Sequence, residues 1–409
     1  MPAAVQTRAP FPAANAPRRP WLTERRIAVY ALALAALYFI VLGTSAYRGL
    51  WFVDEAGRGI ATDFIEFWAA GHLALAGNAV AAYDPAQLKA VEALGLGQDF
   101  AGLHPWLYPP IFFLIVAPFA LAPFLPALCL WLGATLTAYL LAARAILPKP
   151  AAVLAALALP AVCFNLVAGQ NGLLTAAFLA AGLGFLESQP VAAGVFIGLL
   201  AVKPQLGPLI PLALIASGRW RAIFAAAATV AAMIVLSLAF FGRESWLAFL
   251  ASQGDAAQTT LVGGGLGFFK LQSAFGLLRV AGLDAAAAAW GHGICAAAAT
   301  LAVLWLWRGP APYALKAAAL AVAVLAVTPY VLIYDLTLLG VAIAFLAQDG
   351  ITRGFLPGEK PTLVAIALAP LLYLVAAEPL GPFLYVALAA LIARRVAAAP
   401  VTSGCAGTP

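Results

Sequence analysis

Residues 27–46 read IAVYALALAALYFIVLGTSA, a run with no charged side chain, preceded by Arg25-Arg26. An α-helix needs about 20 consecutive apolar residues to cross the hydrocarbon core of a bilayer. The run is long enough to span and predicts a membrane anchor. The whole chain shares its character. Of its 409 residues 65% are hydrophobic and only 9% charged, and the mean hydropathy is +0.99. A soluble domain carries roughly 25% charged and about 45–50% apolar residues, so lipid must be the solvent for most of this protein. Disorder, a coiled coil and a disulfide scaffold are excluded by the same composition. A transmembrane β-barrel fits poorly, because the apolar runs are long and do not alternate. The expected fold class is an all-α polytopic membrane protein.

Further spans are predicted at 124–146, 151–167, 172–187, 222–241, 284–307, 313–328, 331–348, 362–377 and 379–393. Two segments are less regular. Residues 109–122 are apolar but short and read as a re-entrant or interfacial helix. Residues 190–217 are interrupted by Lys203-Pro204, and proline breaks a helix while lysine avoids hydrocarbon. They read as two half-helices, which gives about twelve spans with both termini on the cytoplasmic side. The alternative has 109–122 spanning and 190–217 as one helix. The organisation expected is a tail at 1–26, a membrane domain at 27–395 and a second tail at 396–409. Segments 47–108 and 242–283 would be large external parts with short amphipathic helices. Residues 1–20 are rich in Pro, Ala and Arg and lack the form of a cleavable signal.

The net charge of +6 does not call for nucleic acid, because most of the 22 basic residues fall at helix ends on the inner side of this topology. The positive-inside bias explains them, and the expected location is the cell's inner (plasma) membrane. Most of the 16 acids lie on the outer side, where they contribute little to topology and ask for another explanation. Four cysteines, Cys129, Cys163, Cys295 and Cys405, have no metal or redox spacing and read as small apolar fillers.

Polar groups converge on the outer face from distant stretches. Asp63 and Glu66 are three apart and share a helix face, within an aromatic run suited to the headgroup layer. Asp63 reads either as a helix N-cap or as a general base whose pKa burial would raise. Tyr83-Asp84-Pro85, His104 and Tyr108-Pro109-Pro110 follow, then Gly169-Gln170-Asn171-Gly172. Lys203-Pro204-Gln205 sits where the half-helices meet, as an anion site or as a lysine snorkelling to the interface. Lys270, Gln272, Ser273 and Arg279 give the second external segment phosphate-binding potential, and His292 lies two turns into the next span. Tyr334-Asp335 opens another span, where an aspartate needs a cavity or a partner such as Lys203 or Arg279. No zinc-hydrolase, serine-hydrolase, nucleotide-binding or Cys-x-x-Cys pattern is present.

Asp63 before an aromatic helix, Gly77, Tyr83-Asp84-Pro85, Tyr108-Pro109-Pro110, Gly169-Gln170-Asn171, Lys203-Pro204-Gln205 and Gly218-Arg219-Trp220-Arg221 occur in that order. Together they resemble glycosyltransferase family 87 of the GT-C superfamily, from about Asp63 to Arg221 and more weakly to Asp335. That family includes polyprenyl-phosphate-mannose-dependent α-mannosyltransferases. The resemblance implies a GT-C-like fold and a hexosyl (mannose-like) or pentosyl transferase with an outward-facing site. Its donor would be a polyprenyl-phosphate sugar and its acceptor a glycolipid or glycan, with no nucleotide sugar or cofactor. A divalent metal is left open, since no Asp-x-Asp pair marks the loop. Asp63 matches the aspartate used as base, and Lys203 matches a position for the lipid phosphate, assisted by Lys270, Arg279 or His292. Glu66, Tyr83, Asp84, His104, Tyr108, Gln170, Asn171, Gln205, Tyr334 and Asp335 would line the sugar site. A secondary transporter or lipid-carrier flippase is the rival reading; it predicts a second broken segment in the C-terminal half, and none is evident. A subunit that kept the fold and lost activity is the other rival.

Overall fold

A computed structural model describes residues 22–52, 63–265 and 267–398, and among them there is no β-strand. The tail assigned to residues 1–20, most of the C-terminal tail and Cys405 lie outside the described residues. Helix α1 (Glu24–Tyr47) is followed by the short helices α2 (Phe64–Leu75), α3 (Pro85–Leu96) and α4 (Phe113–Val116). Single turns at Pro110–Phe112 and Ala117–Leu121 flank α4. Then come α5 (Phe124–Ile146), α6 (Pro150–Leu157), α7 (Pro160–Ala168), α8 (Gly172–Phe185), α9 (Pro190–Leu199) and α10 (Leu209–Ala216). The chain continues with α11 (Trp220–Ala257), α12 (Ala274–Val280), α13 (Ala285–Arg308), α14 (Tyr313–Ala326), α15 (Thr337–Arg353), α16 (Glu359–Leu368) and α17 (Gly381–Ala398).

Among the described residues six helical segments are long and apolar enough to cross a membrane, and the pair α6–α7 makes a seventh if counted as one span. This falls short of the twelve expected. Proline accounts for two of the differences. Pro160 splits the expected span at 151–167 into two helices bent by 51°, and Pro370 leaves the expected span at 362–377 as α16 and a 3-10 turn. Other expected spans are short: α8 and α14 have 14 residues each, about 21 Å at 1.5 Å per residue. They lie inside the bundle, where eleven residues of α8, Gly172 to Leu183 with the exception of Phe178, are buried. The long helices α11 and α13 are outermost and present Phe224, Val235, Trp290, Ile294 and Leu301 outward. Their composition suits contact with lipid, whereas the short helices are apolar because protein surrounds them.

Segment 190–217 is broken where expected: α9 ends in a turn at Leu200–Val202, and a second turn at Pro204–Leu206 leads to α10. Helix α9 carries Gly194 and Gly198 one turn apart against α11. A β-carbon at Gly194 would lie 2.4 Å from the Ala222 carbonyl oxygen, and one at Gly198 2.7 Å from that of Ala226. Small residues at this spacing let two backbones approach closely. Helix α11 bends sharply at Gly242, where φ is 74° and ψ 163°, so the external segment expected from residue 242 begins with a helix at once.

The opposite ends of the bundle differ. One is capped by α2–α4. The other holds most of the charges assigned to the inner side: Glu24 pairs with Lys149, Glu187 with Arg219, and Arg395 is buried against both Asp349 and Glu359. Arg353 also reaches Asp349, at 2.5 Å, and Arg395 Nη2 donates to Glu359 Oε2 at 2.6 Å. This network ties the end of α15, the start of α16 and the end of α17 together. Removing one partner of a buried ion pair strands the other and typically costs about 3–5 kcal/mol. Arg395→Met should therefore lower the melting temperature in detergent clearly more than Arg394→Met, since Arg394 is exposed and bonds only the Pro357 carbonyl. Equal melting shifts for the two variants would overturn this view of the buried network.

Candidate functional site

The expected aromatic helix is α2, and protein covers it on most sides. Helix α2 is buried in protein, with Phe64 and Phe67 fully enclosed and Trp68 7% exposed. Its close fit depends on Gly71, whose β-carbon would meet Ala120 and the backbone of Val116 and Ala117 at 3.0–3.1 Å. Phe67 is the hub of an aromatic cluster, with ring centroids of Trp106, Tyr108, Phe112 and Trp131 within 5.2–6.3 Å. The Trp68 indole donates to the Ala122 carbonyl at 2.9 Å, and Tyr83 Oη donates to that of Tyr108 at 2.8 Å. These contacts hold the first turn of α2 over the junction of α7 and α8.

That junction is Gly169-Gln170-Asn171-Gly172. Gly169 ends α7 in the left-handed region at φ 69°, and its carbonyl accepts from the Trp131 indole at 2.9 Å. At Gly172 a β-carbon would lie 2.4 Å from the Tyr334 carbonyl oxygen. Only glycine lets the 169–172 turn seat against the 333–336 turn.

Asp63 stands at the N-cap position of α2, yet its side chain makes no capping bond. Instead Gln170 Nε2 donates to Asp63 Oδ2 at 3.0 Å and to Glu66 Oε1 at 3.1 Å. Gln170 Oε1 in turn accepts from Tyr108 Oη at 3.2 Å and from the Asn171 amide at 3.1 Å. The far oxygen of Asp63 faces His104 Nδ1 at 3.4 Å. The Asp63 side chain is 28% exposed, whereas Glu66 is 5% and Gln170 3% exposed. Of these three groups Asp63 is the one open to a substrate.

Below them Lys203 Nζ contacts Asp335 Oδ1 at 2.5 Å and Asn171 Oδ1 at 3.3 Å, with the Tyr334 ring 5.1 Å away. Asp335 Oδ2 accepts from the Leu332 amide at 3.0 Å. Lys203, Asn171 and Asp335 are all buried. Of the partners considered for Asp335 it takes Lys203, and Lys203 does not snorkel. Asp63, Glu66, Tyr108, Gln170, Asn171, Lys203, Tyr334 and Asp335 thus form one connected group, with His104 at its edge.

Other expected site residues are engaged elsewhere. Asp84 caps α3, accepting from the amides of Ala86 and Gln87, and those bonds hold its pKa below the ordinary value. Tyr83 braces the loop from beneath. Gln272 joins the Val331 carbonyl to Leu380 and Gly381 at the start of α17, and Ser273 caps α12. Arg279 bonds the carbonyls of Val262 and Leu283 and stacks on Phe268 at 4.2 Å. Lys270 is exposed, Gln205 is half-buried, and His292 shares a 3.3 Å bond with the Val327 carbonyl. Among the described residues no contact joins Lys270, Arg279 or His292 to Lys203. Nor are any three His, Cys, Asp or Glu side chains grouped so as to hold a metal.

Glu92 escaped the sequence reading. It is fully buried on α3, one turn after buried Leu88, and its carboxylate lies 3.5 Å from the His104 amide. The signal was available: an acid occupies the position where the apolar stripe of α3 continues. Burial pushes the Glu92 pKa up to about 7, against the pull of His104 and Lys89. Burial likewise raises Glu66 well above the usual carboxylate range, helped by the charges of Asp63 and Glu92. Burial opposes a charge on His104, but its bond to Asp63 and the nearby acids outweigh this and raise its pKa.

A carboxyl that holds its proton more tightly folded than unfolded stabilises the fold less as pH rises through that interval. Wild-type protein should lose stability between about pH 4.5 and pH 7 relative to Glu92→Gln, whose side chain stays neutral. A pH series of melting temperatures checks this, and parallel curves for the two proteins would contradict it.

The family model described as glycosyltransferase family 87 matches residues 106–334, more than half of the chain. The match takes in Tyr108, Gln170, Asn171, Lys203 and Tyr334 and begins after Asp63 and Glu66. Two α-(1→3)-arabinofuranosyltransferases of Mycobacterium tuberculosis, from strains CDC 1551 / Oshkosh and ATCC 25618 / H37Rv, are each 34% identical over 192 residues. The similarity covers 42% of this chain and 43% of each relative, less than half of their length. No solved structure gives a significant match. With the apolar helices of a multi-pass membrane protein and a family match centred on the buried polar site, this chain belongs to glycosyltransferase family 87.

Proposed function

We propose that this protein transfers a glycosyl unit from a polyprenyl-phosphate sugar to a hydroxyl of a glycolipid or glycan. The reaction is an inverting displacement on the outer side of the membrane. The single observation that carries the reading is the partly open Asp63 carboxylate, held by Gln170 above a buried polar floor. Between a pentose and a hexose, the arabinofuranosyl activity in the names of the two relatives favours a pentose.

Asp63 takes the proton of the acceptor hydroxyl while that oxygen bonds to the anomeric carbon. The bond from that carbon to the lipid phosphate breaks, and the phosphate leaves with the electron pair. Glu66 is enclosed, and burial raises its pKa above the usual carboxylate range, so Asp63 is the carboxylate open to the acceptor. Glu66 shares the Gln170 amide with Asp63 and fixes the orientation of that amide. The leaving phosphate would meet Lys203, whose ammonium is shared with Asp335, and Asn171, whose buried Nδ2 has no hydrogen-bond partner. Donors placed where negative charge develops are a major source of rate enhancement. The Lys203–Asp335 pair sets the electrostatic condition: Lys203 serves an incoming phosphate only as far as it turns from Asp335.

General-base catalysis contributes roughly 10²–10⁴-fold in rate. Asp63→Asn should therefore reduce transfer at least about 100-fold in purified protein, whereas Glu66→Gln should stay within about threefold of wild type. The assay is transfer of radiolabelled sugar from polyprenyl-phosphate arabinofuranose and polyprenyl-phosphate mannose into membrane acceptors. Undiminished transfer by Asp63→Asn would remove Asp63 as the base, and absence of transfer from every polyprenyl-phosphate sugar would sink the donor assignment.

A further inference from the structure

A slot of about 550 Å³ opens between α1, α6, α15 and α16, away from the Asp63 site. Alanine makes it. Ala152, Ala155 and Ala156 on α6 and Ala344 and Ala347 on α15 line the slot, and their side chains are too short to close it. It runs along α1 from Glu24 to Leu34, about 15 Å at 1.5 Å per residue. That is close to half of the ~30 Å hydrocarbon thickness of a bilayer, the depth of one leaflet.

The charges that line the slot are Glu24, Lys149 and Lys360. Lys360 follows Glu359 of the buried Asp349–Arg395–Glu359 network and shares the Phe355 ring with Arg395. Glu24 is paired with Lys149. Lys360 stacks 4.7 Å from the Phe355 ring, and its acidic neighbour Glu359 is bound by Arg395. Two lysines against one glutamate leave the lining with a net positive charge.

We propose that this slot binds one anionic glycerophospholipid, with an acyl chain between the alanine walls and its phosphate on Lys149 and Lys360. An apolar slot open to the bilayer gives an acyl chain no hydrophobic gain over the surrounding lipid. Selection must therefore come from the headgroup, and the mouth favours net negative charge over a zwitterion. The lipid wedges α1 and α6 against α15 and α16. The site is independent of the transferase chemistry proposed above.

The test is native mass spectrometry of the full chain, purified in mild detergent and exchanged with phosphatidylglycerol or phosphatidylcholine. Wild type should retain one phosphatidylglycerol per chain and at most a fifth as much phosphatidylcholine. Lys149→Gln/Lys360→Gln should lower phosphatidylglycerol retention at least fivefold, and Ala155→Leu/Ala347→Leu should abolish it by filling the slot. Leucine is a good helix former, and circular dichroism with a melting curve separates a filled slot from a misfolded chain. Equal retention of the two lipids, or folded variants that hold phosphatidylglycerol as wild type does, would overturn the proposal.

Discussion

Backbone in a membrane cannot leave its N–H and C=O groups unpaired, so turns at membrane depth survive only where protein encloses them. This molecule brings three helix breaks together inside the protein: the turn at 169–172, the interruption at 200–208 and the turn at 333–336. The buried Lys203–Asp335 contact joins the second to the third, and Asn171 joins the first to the second. Thr337 adds a bond to the Gly172 carbonyl at 2.9 Å. The short helices α8, α9, α10 and α14 follow from this arrangement, because a helix that ends at a buried turn need not cross the whole bilayer.

The same contact shapes the chemistry. A lone buried charge would be heavily penalised, and pairing makes it tolerable without making it strongly stabilising. Lys203 is therefore held where it can be shared, directly beneath the Gln170 amide that orients Asp63 and Glu66. Above this floor the acids divide by exposure. Glu66 and Glu92 are buried, which raises their pKa values, while Asp63 is partly open. Environment rather than residue type assigns the roles.

The sequence made the site residues legible to a degree set by how local their signals were. The order of Asp63, Gln170-Asn171 and Lys203-Pro204 pointed to a shared face, and these residues do meet. Asp84 and Arg279 looked equally suitable, but each is consumed by bonds within a few residues or to a neighbouring carbonyl. Glu92 went unnoticed because its importance depends on which side of α3 faces the protein. The span count is less legible for a related reason: hydropathy does not distinguish a helix surrounded by lipid from one surrounded by other helices.

By itself, the sequence determined the solvent, the helical class, the break at Lys203-Pro204 and the family resemblance. These follow from composition, the length of apolar runs and the stereochemistry of proline, all of which are local. Only the tertiary structure decided which helices face lipid, that Asp63 is held by Gln170 rather than capping α2, and that Lys203 is already paired. Those outcomes depend on contacts between residues more than a hundred positions apart, as with Asp63 and Gln170 or Lys203 and Asp335. Such partners compete with many others of the same chemistry, and three-dimensional packing chooses among them.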